Sequence, residues 1–353
     1  MAAEVSLRLP VGRLWRRWDR RRELARAQAL VPRILAAMPQ PPGTATQVAR
    51  RVVGSHWTDL NVAVMLVGPM DGPPTIALKL PRTHEGVISL RRQAQVLEDL
   101  RAEPLLYEWA GLLPRPLASG MIDGEVYFVE SALPGGSAHR LPPDPETRRQ
   151  LQTVAAGAIR QFHTRTASSV VVDTELLDRW IEQPLQRLRR LMGGRANGAA
   201  NAAAIRRVET ELRDSLLGRR LSASWVHGDY WTGNLLTEPG GSLTGIIDWD
   251  LAAPDDLPLR DLLHLLLYTR KLVQRCELGD VVRRLLIACI WTSHERELIE
   301  AMDEALPGDY LSERTRVLIY WLRHVSANLE QSPAYARNWL WVHRNIDNVL
   351  RTL

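Results

Sequence analysis

Residues 226–236 read V-H-G-D-Y-W-T-G-N-L-L, and residues 245–250 read G-I-I-D-W-D. Between them, E-P-G-G-S at 238–242 is a tight-turn signal flanked by short apolar runs, which predicts a β-hairpin with strands at 234–237 and 243–247. Asp229 and Asn234 lie five residues apart on a loop that enters the first strand, and the hairpin brings Asp248 back near the end where Asn234 entered. Phosphoryl transfer asks little covalent help of a protein; it asks for an aligned acceptor and for cations over the triphosphate. Asp229 suits the acceptor-orienting carboxylate, while Asn234 and Asp248 offer the amide and carboxylate oxygens that Mg²⁺ takes while keeping several waters. The competing reading makes Asp229 and Asn234 ordinary turn-capping residues.

The rest of the chain is compatible with an enzyme of this kind. Its 353 residues are 45% apolar and 24% charged, which suits one two-lobed unit or two domains rather than a disordered chain. The most apolar stretches, 262–268 and 285–291, are too short to span a bilayer. The N-terminus lacks the apolar core of a secretory signal. Two cysteines cannot build a disulfide framework or a structural zinc site, so a reducing cytoplasm is expected. The net charge of +5 could point to nucleic acid, but of the 45 basic residues only Lys79 and Lys271 are lysine. An arginine- and alanine-rich composition of this kind reads as genome bias, and no nucleic-acid partner is expected. In such a chain a lysine marks a place where the broader guanidinium does not fit.

The chain divides into three regions. Residues 1–45 form a basic extension: arginines mixed with Trp15, Trp18 and leucines predict an amphipathic helix, either packed on the first lobe or lying on a membrane surface, and a proline-rich linker over 36–43 ends it. Residues 46–135 carry β-like runs at 60–67, 75–80 and 125–130, with a helix over 86–101. In the second run Ile76, Leu78 and Leu80 share one face, and Ala77 and Lys79 the other. Residues 136–353 are mostly helical, with helices expected over 148–164 and near 175–193, 201–217, 259–275, 280–304, 311–330 and 333–350.

H-G-D-x-x-x-x-N followed by I-D-W-D resembles the aminoglycoside phosphotransferase and choline kinase superfamily, from about residue 48 to residue 261. The resemblance implies an α+β, two-lobed protein-kinase-like fold with a β-rich nucleotide-binding first lobe and a helical second lobe. It implies ATP, or GTP, with Mg²⁺ as cofactors and a small-molecule alcohol as acceptor: an aminoglycoside, sugar, amino alcohol or related metabolite. By the same resemblance Asp229 is the catalytic base, His227 braces its loop, and Asn234 and Asp248 bind magnesium. Ile76-Ala77-Leu78-Lys79 is similar to the kinase V-A-I-K strand, whose lysine pairs the α- and β-phosphates. The small Ala77 leaves room for the adenine ring. Residues 130–132 (Glu130, Ser131 and Ala132) stand where the family's hinge offers backbone groups to the base. Residues 53–61 stand where its triphosphate-covering turn belongs, with Ser55 or Thr58 near phosphate.

Two departures matter. Gln93 stands where the family has a lysine-bracing glutamate, which leaves a neutral donor–acceptor in place of a charge; an inactive nucleotide-binding module is therefore the alternative to an active kinase. After Asp250 the family's G-D-P becomes P-D-D-L-P at 254–258, and Asp255, Asp256 and Asp261 read as structural. His163 and the aromatic positions Trp321, Trp339 and Trp341 read as core, with pocket lining the alternative for the tryptophans. The acidic run Glu295, Glu297, Glu300, Asp303 and Glu304 reads as a solvated helix face. The sequence leaves the oligomeric state open.

Overall fold

The computed structural model of the chain describes residues 11–38, 50–58, 62–139, 141–192 and 198–353. Its packing divides the chain into two units, residues 1–90 with 115–132 and residues 91–114 with 133–353. Residues 91–114, which the sequence pattern grouped with the first region, thus pack with the second.

The first unit is a sheet backed by a helix. Helix α1 (Val11–Ala37) precedes strands β1 (Arg50–Trp57), β2 (Val62–Pro69) and β3 (Ile76–Pro81); helix α2 (His84–Ala102) follows, then β4 (Pro116–Ile122) and β5 (Glu125–Ser131). The sheet runs β1-β2-β3-β5-β4 with every neighbouring pair antiparallel. Ala27, Leu30, Val31 and Ile34 recur at helical spacing on α1 and bury their stripe against Ala63, Met65, Leu78, Leu80 and Val129. The basic extension is therefore a core element of this unit; the side chains of Trp15 and Trp18 lie outside the described ones, as do linker residues 39–43. Residues 53–57, expected as a phosphate-covering turn, belong to β1, where Ser55 pairs with Met65; residues 59–61 lie outside the described ones. Strand β4 carries no period-two pattern, because its sequence P-L-A-S-G-M-I is only half buried, and the sequence did not reveal it.

In the second unit β6 (Gly136–Ser137) leads to α3 (Pro145–Thr166), β7 (Ser168–Val171), α4 (Thr174–Leu177), α5 (Gln183–Met192) and α6 (Gly198–Leu216). Strand β8 (Arg220–Val226) then precedes β9 (Leu235–Thr237), β10 (Leu243–Ile246) and β11 (Ala253–Asp256). Four longer helices come next: α7 (Leu259–Gln274), α8 (Leu278–Ala288), α9 (Ser293–Ala305) and α10 (Glu313–Gln331), and short helical segments run from Pro333 to Leu350. The expected hairpin is β9–β10, closed by Glu238 N–H to Ser242 O at 3.0 Å and Gly241 N–H to Glu238 O at 2.8 Å. A second small sheet, β11-β8-β7, was not foreseen. The single helix expected over 280–304 is two. Cys289 takes a left-handed conformation (φ 48°) that ends α8, and Thr292 and Glu295 form the capping box that starts α9.

Aromatic packing supports the hairpin from below. Trp109, Phe162 and Trp249 meet with ring centroids 4.7 to 5.9 Å apart, and the Trp249 indole donates to Ile246 O at 2.8 Å. Asp256, fully buried at the end of β11, joins α7 to α10 by pairing with Arg260 and Arg323. Burial pushes its carboxyl up, but the two guanidinium groups outweigh this and hold it below the usual carboxylate range. A depressed folded-state pKa means the stabilisation is present above the ordinary aspartate value and is lost as pH falls through the lower folded one. Asp256→Asn should therefore lower the thermal midpoint at pH 7 by the equivalent of about 3–5 kcal/mol. The gap to the wild type should narrow below about pH 4. Thermal scans at the two pH values check this, and equal midpoints at pH 7 would show the triad to be dispensable.

Candidate active site

Strand β8 delivers the chain to His227, and the loop beyond it is shaped by one buried carboxylate. Asp261, in the first turn of α7 and inaccessible to solvent, accepts the backbone N–H of His227 at 2.6 Å and of Gly228 at 2.9 Å, one on each oxygen. Hydrogen bonds to an ionised acceptor are among the strong ones. Gly228 sits at φ 84°, and a Cβ there would stand 2.4 Å from Leu251 O, so no other residue fits the bend. The expectation that Asp261 is structural is met in this form. His163, also inaccessible, lies 3.5 Å from the same carboxylate and contacts Ser224 Oγ and Trp225 O.

His227 is fixed in one tautomer. Its Nε2 donates to Ile247 O at 2.9 Å, so Nδ1 is left to accept the Asp229 N–H at 3.2 Å. Burial pulls its pKa down, and a neutral ring holding two backbone groups is a brace rather than a proton carrier. Through it the loop of Asp229 is tied to the residue before Asp248. A second tie runs beside the first: Ile247 N–H donates to Asn234 O at 2.9 Å. Asp248 itself adopts a left-handed conformation, φ 62°, which an aspartate tolerates better than most residues.

The Asp229 side chain is 37% exposed, yet both of its oxygens are held. Oδ1 accepts from His264 Nε2 at 2.9 Å, and Oδ2 from Asn234 Nδ2 at 3.0 Å. Burial raises its pKa, but opposing effects, led by the hydrogen bond from His264, leave the carboxyl below its ordinary value. The Asn234 amide nitrogen also donates to Asp229 O at 2.9 Å. With its nitrogen so committed, the Asn234 amide oxygen is the atom left for a cation. An amide oxygen and the Asp248 carboxylate, two hard donors, fit Mg²⁺, which fills its other positions with water and phosphate. Among the described residues no group of three or more His, Cys, Asp or Glu side chains gathers as a closed metal site.

In the first unit Lys79 and Glu130 form a buried ion pair, Nζ to Oε1 2.8 Å, with side chains 7% and 11% exposed. Register explains it: Ala77 stands opposite Glu130 and Lys79 opposite Phe128 on adjacent strands, so all four share a face. Its place in the hinge assigned Glu130 a role through the backbone alone; its carboxylate turns out to be the partner of the lysine. Ser131 N–H donates to Arg115 O at 2.8 Å and Ala132 N–H to Thr75 O at 3.0 Å, so these two hinge donors are engaged within the sheet. Gln93 is buried on α2. Trp321 is core, Trp339 is exposed, and Trp341 packs partly buried on Tyr335. Glu295, assigned to a solvated face, is instead buried on Arg270. His264 carried no sequence signal; it lies 35 residues from Asp229 in a run of leucines.

A five-stranded antiparallel sheet, a mostly helical second unit and a histidine-braced aspartate loop running into a hairpin define the protein-kinase-like class of phosphotransferase. Residues 50–285, more than half of the chain, match the model of the phosphotransferase enzyme family, APH. The chain belongs to that family and is a phosphotransferase. No curated protein matches the sequence. Among solved structures, a candidate aminoglycoside phosphotransferase from Ralstonia eutropha JMP134 shares the fold, with a TM-score of 0.52 and 13% identity over 88% of this chain and 91% of that one. A Plasmodium vivax ethanolamine kinase (TM-score 0.49, 11% identity, 85% and 81% covered) and a macrolide 2'-phosphotransferase type I (0.48, 14%, 93% and 94%) are also similar.

The ion pair of the first unit lends itself to a double-mutant cycle. Lys79→Met and Glu130→Leu should each destabilise the protein by about 3 kcal/mol or more, because each removes one side of a buried ion pair. The double variant should lose clearly less than the sum of the two. Chemical denaturation of the four proteins measures the coupling, and strictly additive losses would show that the pair does not interact.

Proposed function

We propose that the chain transfers the γ-phosphate of Mg·ATP to a hydroxyl of a small metabolite or natural product, with Asp229 as the base that receives the hydroxyl proton. The observation that carries this reading is the Asp229 carboxylate: open to solvent on one side, held on both oxygens, and tied through His227 and Asn234 to the residue before Asp248. In this reading Asn234 and Asp248 hold magnesium, which would neutralise charge developing on the phosphates. Lys79 pairs the phosphates, and Ala77 and the 130–132 segment border the base. GTP is the alternative nucleotide. Aminoglycosides, sugars and amino alcohols are the acceptor classes to test first. Cytoplasmic residence suits free Cys276 and Cys289, and no helix among the described residues is long and apolar enough to cross a membrane.

An acceptor panel of aminoglycosides, macrolides, ethanolamine, choline and simple sugars, read by ADP release with Mg·ATP, tests the reaction directly. On the best acceptor Asp229→Asn should keep nucleotide affinity and lower turnover by on the order of 10² to 10⁴. Turnover within a few-fold of the wild type would remove Asp229 from the role of base.

Asp248→Ala tests the metal assignment separately. It should abolish the magnesium dependence of nucleotide binding, with Asn234→Ala the milder of the two, since it removes a neutral ligand rather than the charged one. Calorimetric titration of ATP with and without Mg²⁺ is the measurement; unchanged Mg·ATP affinity in Asp248→Ala would overturn the assignment.

A further inference from the structure

Behind Asp229, on the side away from solvent, the second unit carries a column of side chains that the proposed reaction leaves without a role. His264 on α7 is 2% exposed and meets Asp229 Oδ1 through Nε2 at 2.9 Å. Its other nitrogen, Nδ1, lies 2.8 Å from the hydroxyl of Tyr320 on α10, which is equally buried. An ionised carboxylate only accepts, so Nε2 carries the proton; in the neutral ring Nδ1 is then an acceptor, and the Tyr320 hydroxyl donates to it. The donors thus point one way along the column, from Tyr320 through His264 to Asp229. The imidazole cannot tilt freely, since Tyr268 and His324 flank it at ring-centroid distances of 5.2 Å each. His324 in turn stacks on Tyr320 at 22° between planes, and its Nε2 accepts from Asn328 Nδ2 at 3.0 Å.

We propose that His264 and Tyr320 are positioning residues of the phosphotransfer reaction: together they hold the Asp229 carboxylate in the one orientation that receives the acceptor's hydroxyl proton. The inference rests on Asp229 being the base. Each carboxylate oxygen has two lone-pair sites; His264 occupies one on Oδ1, Asn234 occupies one on Oδ2, and the open edge keeps the remainder for the hydroxyl. Asn234 alone would leave the carboxylate free to swing about χ2, whose well is broad for aspartate. A misplacement of about 1 Å at a reacting group can cost on the order of 10²-fold in rate. Tyr320 acts one step further back by fixing the tautomer and ring angle of His264. Neither residue touches the nucleotide in this arrangement, so the cost of losing either falls on kcat and not on the KM for ATP.

The test compares His264→Leu, His264→Gln, Tyr320→Phe and the Leu/Phe double variant with the wild type. Turnover is measured on the best acceptor of the panel, or on water where none is phosphorylated. His264→Leu should lower kcat about 10- to 100-fold with the KM for ATP unchanged within about threefold. His264→Gln, whose amide N–H reaches the same oxygen, should recover at least half of that loss on a logarithmic scale. Tyr320→Phe should cost a few-fold alone and nothing further in the His264→Leu background, the signature of a residue acting through the histidine. Tyr320→Phe removes a single oxygen from a buried ring, so it remains informative even where His264→Leu fails to fold. The proposal is overturned where His264→Leu keeps kcat within twofold, where His264→Gln is no better than His264→Leu, or where the Tyr320→Phe loss is the same in both backgrounds; if His264→Leu does not fold, an unchanged kcat in Tyr320→Phe overturns it. Asp229→Asn separates the column from the base. If it is inactive while His264→Leu is unimpaired, only the column is wrong; if it retains full turnover, the base assignment itself is wrong.

Discussion

The loop that carries Asp229 depends on a single buried carboxylate. Asp261 has no access to water, and its two oxygens are answered by the backbone N–H groups of His227 and Gly228. Removing that carboxylate would leave two buried backbone donors without partners, each costing on the order of 1–3 kcal/mol. The clamp also explains the glycine. The chain turns so sharply to present both N–H groups to one carboxylate that it adopts φ 84° at Gly228 and passes within van der Waals range of Leu251. From that bend the next residue, Asp229, emerges toward solvent, and His227 turns inward to brace Ile247. A packed, anchored backbone is what allows one side chain to stand half open without wandering.

Charge around the loop is arranged so that Asp229 keeps its sign. Burial lowers the pKa of His227, His163 and His324, so these rings sit neutral beside Asp229 and Asp261. An imidazolium at any of these places would set a positive charge against one of these carboxylates. Asp229 stays below the ordinary carboxylate range for the same purpose: hydrogen bonds to its ionised form outweigh its desolvation. The proposed base is therefore a weak one, which is tolerable in phosphoryl transfer, where positioning and electrostatics over the phosphates carry most of the rate.

What was legible in the sequence is local. The hairpin announced itself through E-P-G-G-S between two apolar runs, the loop through H-G-D and Asn234 at fixed spacing, and the lysine strand through period-two alternation that the sheet register then bore out at Ala77 and Lys79. Contacts made across long stretches of chain were not legible. His264 reads as one polar residue inside L-L-H-L-L-L, and only the folded α7 brings it to Asp229, while Tyr320 reaches it from 56 residues away. Glu130 carried its signal in the wrong part of the residue: the hinge position suggested backbone, and cross-strand register supplied the carboxylate. Strand β8 was hidden because R-L-S-A-S-W-V is too irregular to separate from a loop, although it stands between β7 and β11 and leads directly into the Asp229 loop.

Composition, the least specific of the sequence signals, pointed to two positions that the fold treats unusually. Lys79 and Lys271 are the only lysines among 45 basic residues. Lys79 is buried against Glu130 on adjacent strands, where an ammonium can rotate its three donors within a narrow slot and a planar fork cannot. Lys271 stands over the ring of Tyr268 at 4.3 Å, one turn along α7 from the tyrosine that flanks His264. Arginine meets most other charge requirements, from Arg270 on Glu295 to Arg316 on Asp303. One lysine is buried on the strand that resembles the phosphate-binding lysine strand of kinases, and the other is half-buried on the helix behind the proposed base.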